Sequence, residues 1–203
     1  MTRAAAVVAR PLRQDAARNR RHLLAAARTV FGHDGLDSGV EAVARKAGVG
    51  TGTLYRHFPS KDDLVAALVD DLAEDVLRSA QAALARGDGE GLWEFLHATG
   101  AIQADNQGLL CRLWVNPPPA KLASIRRLIA ELVADAHRHQ TLPVDVEQPD
   151  IIFLLQGLRG VIEANSGARD GRSDAWKRYL ELATRGLRRG LGTSPVASQD
   201  INA

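Results

Sequence analysis

The chain has 203 residues, of which 45% are hydrophobic, 25% charged and 4% aromatic, with one cysteine and a formal net charge of +2. That length holds one large domain or two small ones, and a lone cysteine excludes an internal disulfide and suits a reducing compartment, so the expected location is the cytoplasm. No run of about 18 apolar residues occurs, so no membrane span is expected, and the short Ala/Val run before Pro11 is unlike a signal peptide.

Residues 1–14 lack an apolar period and contain Pro11; with Arg3, Arg10 and Arg13 they read as a flexible basic arm. From Asp15 the pattern is helical: Leu23, Leu24, Ala27, Val30 and Phe31 share one face, and Gly35 ends the helix. Ser38 with Glu41 reads as a capping box for a second helix, with Val40, Val43, Ala44 and Ala47 on its inner side and Gly48 as its stop. Thr53 to Phe58 make a short third helix ended by Pro59. Ser60 caps a fourth, with Asp62 and Asp63 in the first turn where the helix dipole favours carboxylates. It runs to about Arg86. Further helices are expected near 90–104, 106–115, 120–140, 147–166 and 173–190, separated by Gly or Pro clusters that include Pro117 to Pro119. The tail 192–203 is polar and reads as disordered. The fold class is all-α with roughly nine helices.

Charge is distributed unevenly. Residues 1–64 carry 11 Lys/Arg against 6 Asp/Glu, a balance of +5, and residues 65–203 carry 15 against 18, a balance of −3. A basic N-terminal third on a mildly acidic body suits a DNA-binding head on a separate scaffold. A difference this small also arises by scatter, so the motifs decide.

Residues 38–63 have the form of a helix-turn-helix: helix, tight glycine turn, second short helix, proline stop. Such a motif needs a small hydrophobic lock so that its second helix can enter the major groove. Ala44, Gly48, Val49 and Leu54 are placed to form that lock. Leu54, Phe58, Val43 and Val49 are assigned to the core. The outer side of the third helix then carries Thr51, Thr53, Tyr55, Arg56 and His57; Thr and Arg suit base edges, and Tyr and His suit phosphates. Amides near Gly39 and Lys61, at the starts of the second and fourth helices, can hold phosphate. Arg18, Arg20 and Arg21 add charge that can follow the backbone or enter the minor groove.

The run Ala44-Arg45-Lys46-Ala47-Gly48-Val49-Gly50-Thr51-Gly52-Thr53-Leu54-Tyr55-Arg56-His57-Phe58-Pro59-Ser60-Lys61 resembles the tetracycline-repressor (TetR) family of bacterial regulators. The resemblance covers about Arg18 to Leu68. Gly50 departs from it, standing where the family often has a capping serine, and Thr51 stands where lysine is common. The resemblance implies a phosphate-binding role for Lys61. Motif and resemblance together give the candidate DNA contacts Arg18, Ser38, Gly39, Arg45, Gly50, Thr51, Gly52, Thr53, Tyr55, Arg56, His57 and Lys61. They divide the chain into a helix-turn-helix head over 15–63 and a helical effector-binding and dimerisation body over 64–191.

The resemblance further implies a homodimer through the last two long helices, which matches two half-sites of a palindromic operator in double-stranded DNA. Their apolar content, with Ile151, Ile152, Leu154, Leu155, Leu158, Val161 and Ile162 followed by Trp176, Leu180, Ala183 and Leu187, exceeds what one helical face needs. A small-molecule effector is expected among the body helices. Candidate pocket residues, large or polar among aliphatic neighbours, are Trp93, Phe95, His97, Gln103, Cys111, Trp114, Phe153 and Arg159. No metal or other cofactor is expected: His137 and His139 are two apart on a helix and face different directions. The expected function is a repressor released by an effector. The alternative is a DNA-binding regulator without a small-molecule ligand, constitutive or controlled by a protein partner. An enzyme is not expected, because no phosphate loop, metal-ligand set or nucleophile motif occurs.

Overall fold

The computed structural model describes residues 4–109, 118–165 and 174–188, with side chains from Ala17 onward except His33. The expected tail over 192–203, Cys111 and Trp114 lie outside the described residues.

The described residues contain eight α-helices and no strand: α1 (Ala4–Asp34), α2 (Val40–Lys46), α3 (Thr51–His57), α4 (Lys61–Leu84), α5 (Gly91–Asp105), α6 (Pro119–Arg138), α7 (Gln148–Asn165) and α8 (Ala175–Leu187). A single 3-10 turn, Gln107–Leu109, follows α5. It occupies the start of the helix expected over 106–115; the rest of that range is outside the described residues.

The N-terminal end corrects one expectation. Residues 4–14 belong to α1 rather than to an arm. The run Ala4 to Ala9 is rich in alanine, the strongest helix former, and the helix of 31 residues continues through Pro11 although an interior proline costs about 3 kcal/mol. Further along, Leu23, Ala27, Val30 and Phe31 are buried as the periodicity requires. Gly35 takes a left-handed φ of 79° and releases the chain from the helix.

Two apolar cores lie along α4. The first gathers Leu23, Ala27, Phe31, Val43, Ala44, Leu54, Phe58, Leu64, Leu68 and Leu72. The second gathers Val76, Ala80, Leu92, Phe95, Leu96, Leu132, Ile151, Leu158 and Leu180. The head core thus continues past the expected boundary at Asp63 and hands over to the body between Leu72 and Val76, because α4 shows the same apolar stripe to both. Its start is fixed by a capping box: the Asp63 amide donates to Ser60 Oγ (3.1 Å) and the Ser60 amide to Asp63 Oδ2 (3.0 Å).

Polar ties hold the body helices in place. Asp135 on α6, 3% exposed, accepts from the Gly89 amide at 3.0 Å in the α4–α5 connection. Lys121 bridges α6 to Asp70 (3.0 Å) and Glu74 (3.1 Å) on α4. Burial disfavours that ammonium, yet its bonds to the two carboxylates outweigh burial and hold it above the usual lysine range. The phenol of Tyr179 on α8 is pushed up by burial and donates to the Leu154 carbonyl at 3.3 Å. The histidines near the end of α6 have separate partners: His137 Nε2 lies 3.0 Å from the Val146 carbonyl and His139 Nδ1 3.0 Å from the Asp135 carbonyl.

Candidate functional site

α2 and α3 meet through the expected lock. The Val49 amide donates to the Ala44 carbonyl at 3.0 Å and the Ala47 amide to the Val43 carbonyl at 2.9 Å. Gly48 carries the turn at φ 66°, a left-handed conformation that costs an L side chain about 1–2 kcal/mol. Leu54 is fully buried beneath α3, Phe58 closes the same core, and Val49 is half-buried. With those pins inward, Thr51, Gly52, Tyr55 and Arg56 face solvent together with Arg45 of α2, while Thr53 and His57 are half-buried. Tyr55 is 44% exposed, which leaves its hydroxyl and ring edge on the surface. Gly50 is the N-cap of α3 at φ −72° and ψ 150° and, as its missing hydroxyl dictates, gives no side-chain capping bond.

The α1–α2 connection corrects a second expectation. α2 begins at Val40 with Gly39 as N-cap and no side-chain cap bond, so Ser38 lies one position too early to form the box with Glu41. The Glu41 carboxylate instead folds back over Gly39, where a Cβ would collide with it. The Ser38 carbonyl serves a different partner. Lys61 Nζ donates to it at 3.0 Å and also to the Leu36 carbonyl, with the Phe31 ring centroid 5.5 Å away. Lys61 is therefore half-buried and staples the loop before α2 to the start of α4. The α4 start is also a poorer phosphate seat than expected, since its capping box occupies the Ser60 and Asp63 amides and Asp62 and Asp63 add negative charge.

On α1, Arg18 and Arg21 flank an exposed surface depression with Asn19 and His22. Arg20 lies with its guanidinium 5.0 Å from the Phe58 ring centroid, which ties the basic side of α1 to the end of α3.

Head and body are joined by contacts that sequence reasoning missed. Arg28 Nη1 donates to Asp75 Oδ2 on α4 at 2.5 Å, and Arg28 Nε donates to Asn106 Oδ1 at 2.9 Å. Asn106, 1% exposed, follows α5 directly and donates to the Ile102 carbonyl at 2.7 Å. Leu109 at the end of the 3-10 turn is fully buried in the head core. Gly108 lets that turn lie against α1, because a Cβ there would overlap the Phe31 carbonyl oxygen. A lone Arg in the middle of an apolar helical face, Arg28 among Leu24, Ala27 and Phe31, was the signal available for this link.

The body contains a cavity of about 160 Å³ whose lining includes Val76, Phe95, Thr99, Gln103, Ile125, Arg126, Ile129, Leu155 and Gln156. Of the expected pocket residues, Phe95 and Gln103 line it. Trp93 is buried elsewhere, beneath the Arg188 guanidinium at 4.4 Å from its ring centroid. His97 is exposed, Phe153 is 65% exposed on the outer side of α7, and Arg159 is paired with Glu163 at 2.8 Å. These four do not line this cavity, since α5 and α7 turn them to other faces. Thr99, Arg126 and Gln156 line it without having been expected. Thr99 and Gln103, four apart on an otherwise apolar stretch, share a helical face, and that spacing was the readable sign.

Fold and site together define a helix-turn-helix protein with a larger helical body. The family model for bacterial regulatory proteins of the tetR family matches residues 23–68. The TetR transcription regulatory protein from Mycobacterium vanbaalenii is similar over 88% of this chain and 99% of its own, at 33% identity and a TM-score of 0.66. A TetR transcriptional regulator from Streptomyces coelicolor is similar over 83% and 98%, at 27% identity and a TM-score of 0.62. HTH-type transcriptional regulators of Staphylococcus aureus are 39% identical over 54 residues, a match that spans 26% of this chain and 29% of theirs. The chain belongs to the TetR family of transcription regulators. No helix among the described residues is long and apolar enough to cross a membrane.

Proposed function

We propose that the chain is a homodimeric repressor that holds a palindromic operator through α3 and is released by a small molecule bound in the body. The observation that carries the DNA reading is the outer face of α3. Thr51, Tyr55 and Arg56 stand exposed on a helix pinned from below by Leu54, with open backbone at Gly50 and Gly52 where a Cβ would touch nothing. Thr51 and Arg56 suit base edges, and Tyr55 and His57 suit phosphates, with Arg18 of α1 and Arg45 of α2 as further exposed cations of the head. Lys61 and the α4 start take a positioning role, holding the loop that carries Ser38 and Gly39.

Dimerisation is supported by the outer side of α7 and α8. Phe153 is 65% and Leu182 53% exposed, and Gly160 offers an open spot for close helix approach. Effector control is supported by the cavity and by its position on α5, the helix that leads through Asn106 to Leu109 in the head core. An effector must favour one of two head arrangements, because a ligand that binds both equally shifts nothing.

The test is a mobility shift with the purified full chain, the DNA flanking its gene and excess competitor. A specific complex that weakens steeply with salt supports the reading. Failure to select any palindrome from random duplex DNA overturns it.

A further inference from the structure

We infer that the body cavity recognises a compact, neutral ligand through a cis-amide edge, meaning an adjacent N–H and C=O as in a primary carboxamide, lactam or imide, carried on an apolar ring. The inference rests on the effector reading for the site and specifies its chemistry.

Gln103 is 1% and Thr99 3% exposed, and both line the cavity from one face of α5. Gln103 Nε2, Gln103 Oε1 and Thr99 Oγ1 have no hydrogen-bond partner among the described residues. Buried polar atoms of native proteins are satisfied almost without exception. Of the four unpartnered ones among the described residues, Trp93 Nε1 lies elsewhere and three belong to two residues that line this single cavity, which marks where a partner enters. The atoms also state what that partner must offer. Oε1 only accepts and Nε2 only donates, so the ligand needs one donor and one acceptor side by side. A ketone, ester or ether satisfies Nε2 alone. A carboxylate brings two acceptors and sets an anion against Oε1. An amide edge answers both atoms of Gln103 and leaves a carbonyl lone pair for the Thr99 hydroxyl.

The remaining wall fixes the rest of the ligand. Val76, Phe95, Ile125, Ile129 and Leu155 are apolar. A cavity of about 160 Å³ is close to the roughly 150 Å³ that accommodates one benzene ring elsewhere. Arg126, the one charged residue of the lining, is exposed, and the buried residues Gln103 and Thr99 are neutral.

The experiment titrates the full-length protein by calorimetry with benzamide, acetophenone and benzoate, which share one ring and differ only in the polar edge. The same titrations are made on Gln103→Leu, whose fold is verified by circular dichroism and thermal melting. Benzamide is expected to bind about tenfold more tightly than either analogue, and that preference is expected to vanish in Gln103→Leu. Equal binding of all three, preference for benzoate, no heat with benzamide, or a benzamide preference that survives Gln103→Leu would each overturn the inference. Operator affinity is measured in the same samples by mobility shift. Selective benzamide binding that leaves operator affinity unchanged would uphold the ligand chemistry and refute effector release, so the two readings fail separately.

Discussion

Arg28 on α1 reaches Asp75 on α4 at 2.5 Å, and its other edge holds Asn106 at the end of α5. One guanidinium thus joins the first helix of the head to the two helices that carry it on the body. The pair is only partly exposed, 31% for the Arg28 side chain and 17% for that of Asp75, so truncation leaves a poorly solvated carboxylate with the exposed Arg78 as its remaining partner. Arg28→Ala is expected to destabilise the protein by about 1–3 kcal/mol in urea unfolding. It is also expected to lessen the change in operator affinity that an effector produces; an unaltered response would show that coupling runs elsewhere.

The candidate DNA contacts divide into two kinds. Tyr55→Phe and His57→Ala are expected to lower operator affinity several-fold, by about 1 kcal/mol each, while melting temperature and dimer size stay at wild-type values. Lys61→Ala behaves differently, because its ammonium serves the Leu36 and Ser38 carbonyls. It should lose affinity and also about 1 kcal/mol of stability. Mobility shifts paired with thermal melts separate the classes, and a Lys61→Ala protein of full stability would return Lys61 to the free contacts.

Two glycines in the head should respond in opposite directions. Gly50 already has cap geometry and open space, so Gly50→Ser is expected to add a few tenths of a kcal/mol by capping α3. Gly48 has equal space but a φ of 66°, so Gly48→Ala should cost about 1 kcal/mol or more. Chemical denaturation of both variants reads the difference.

A second pair of glycines tests the docking of the 3-10 turn. Gly108→Ala drives a Cβ into the Phe31 carbonyl and toward Gly35 Cα at 2.9 Å, both backbone atoms that cannot swing aside. About 1–3 kcal/mol should be lost. Gly186 on α8 has open surroundings, so Gly186→Ala should instead gain about 0.5–1 kcal/mol. Equal effects in the two variants would remove the packing argument.

For the proposed dimer, Phe153→Glu places a charge on the exposed apolar face of α7. Light scattering is expected to report a monomer with unchanged helicity. A variant that remains dimeric would move the interface away from α7.

Most of the helices were legible because their apolar spacing and stop residues agree: Leu23 to Phe31, Gly48, Pro59 and Ser60 each stand where a boundary or buried face was expected. The helix-turn-helix was readable because its lock is local, with Ala44, Val49 and Leu54 within eleven residues. Ser38 misled because a one-residue shift of a helix start moves the cap, and Ser38 and Glu41 satisfy the pattern without meeting in space. The lining of the body cavity was least legible. His97, Phe153 and Arg159 are conspicuous by type, but helix rotation decides which side of α5 or α7 is inside. Thr99 stands one helical turn from Gln103, and only that shared face distinguishes it from other small polar residues. Arg28, Asp75 and Asn106 are far apart in sequence, and such ties have no local signature.

Leu109 has a consequence for any transplantation of this head onto another body. A fragment that stops after α4 would leave a hole where that side chain sits, with the Arg28 guanidinium deprived of Asn106. The core of the head is therefore discontinuous in sequence, formed by the first four helices and the small plug from 106 to 109. A chimera that carries the plug should fold around α3, whereas one cut at the linear boundary inherits a head with part of its floor missing.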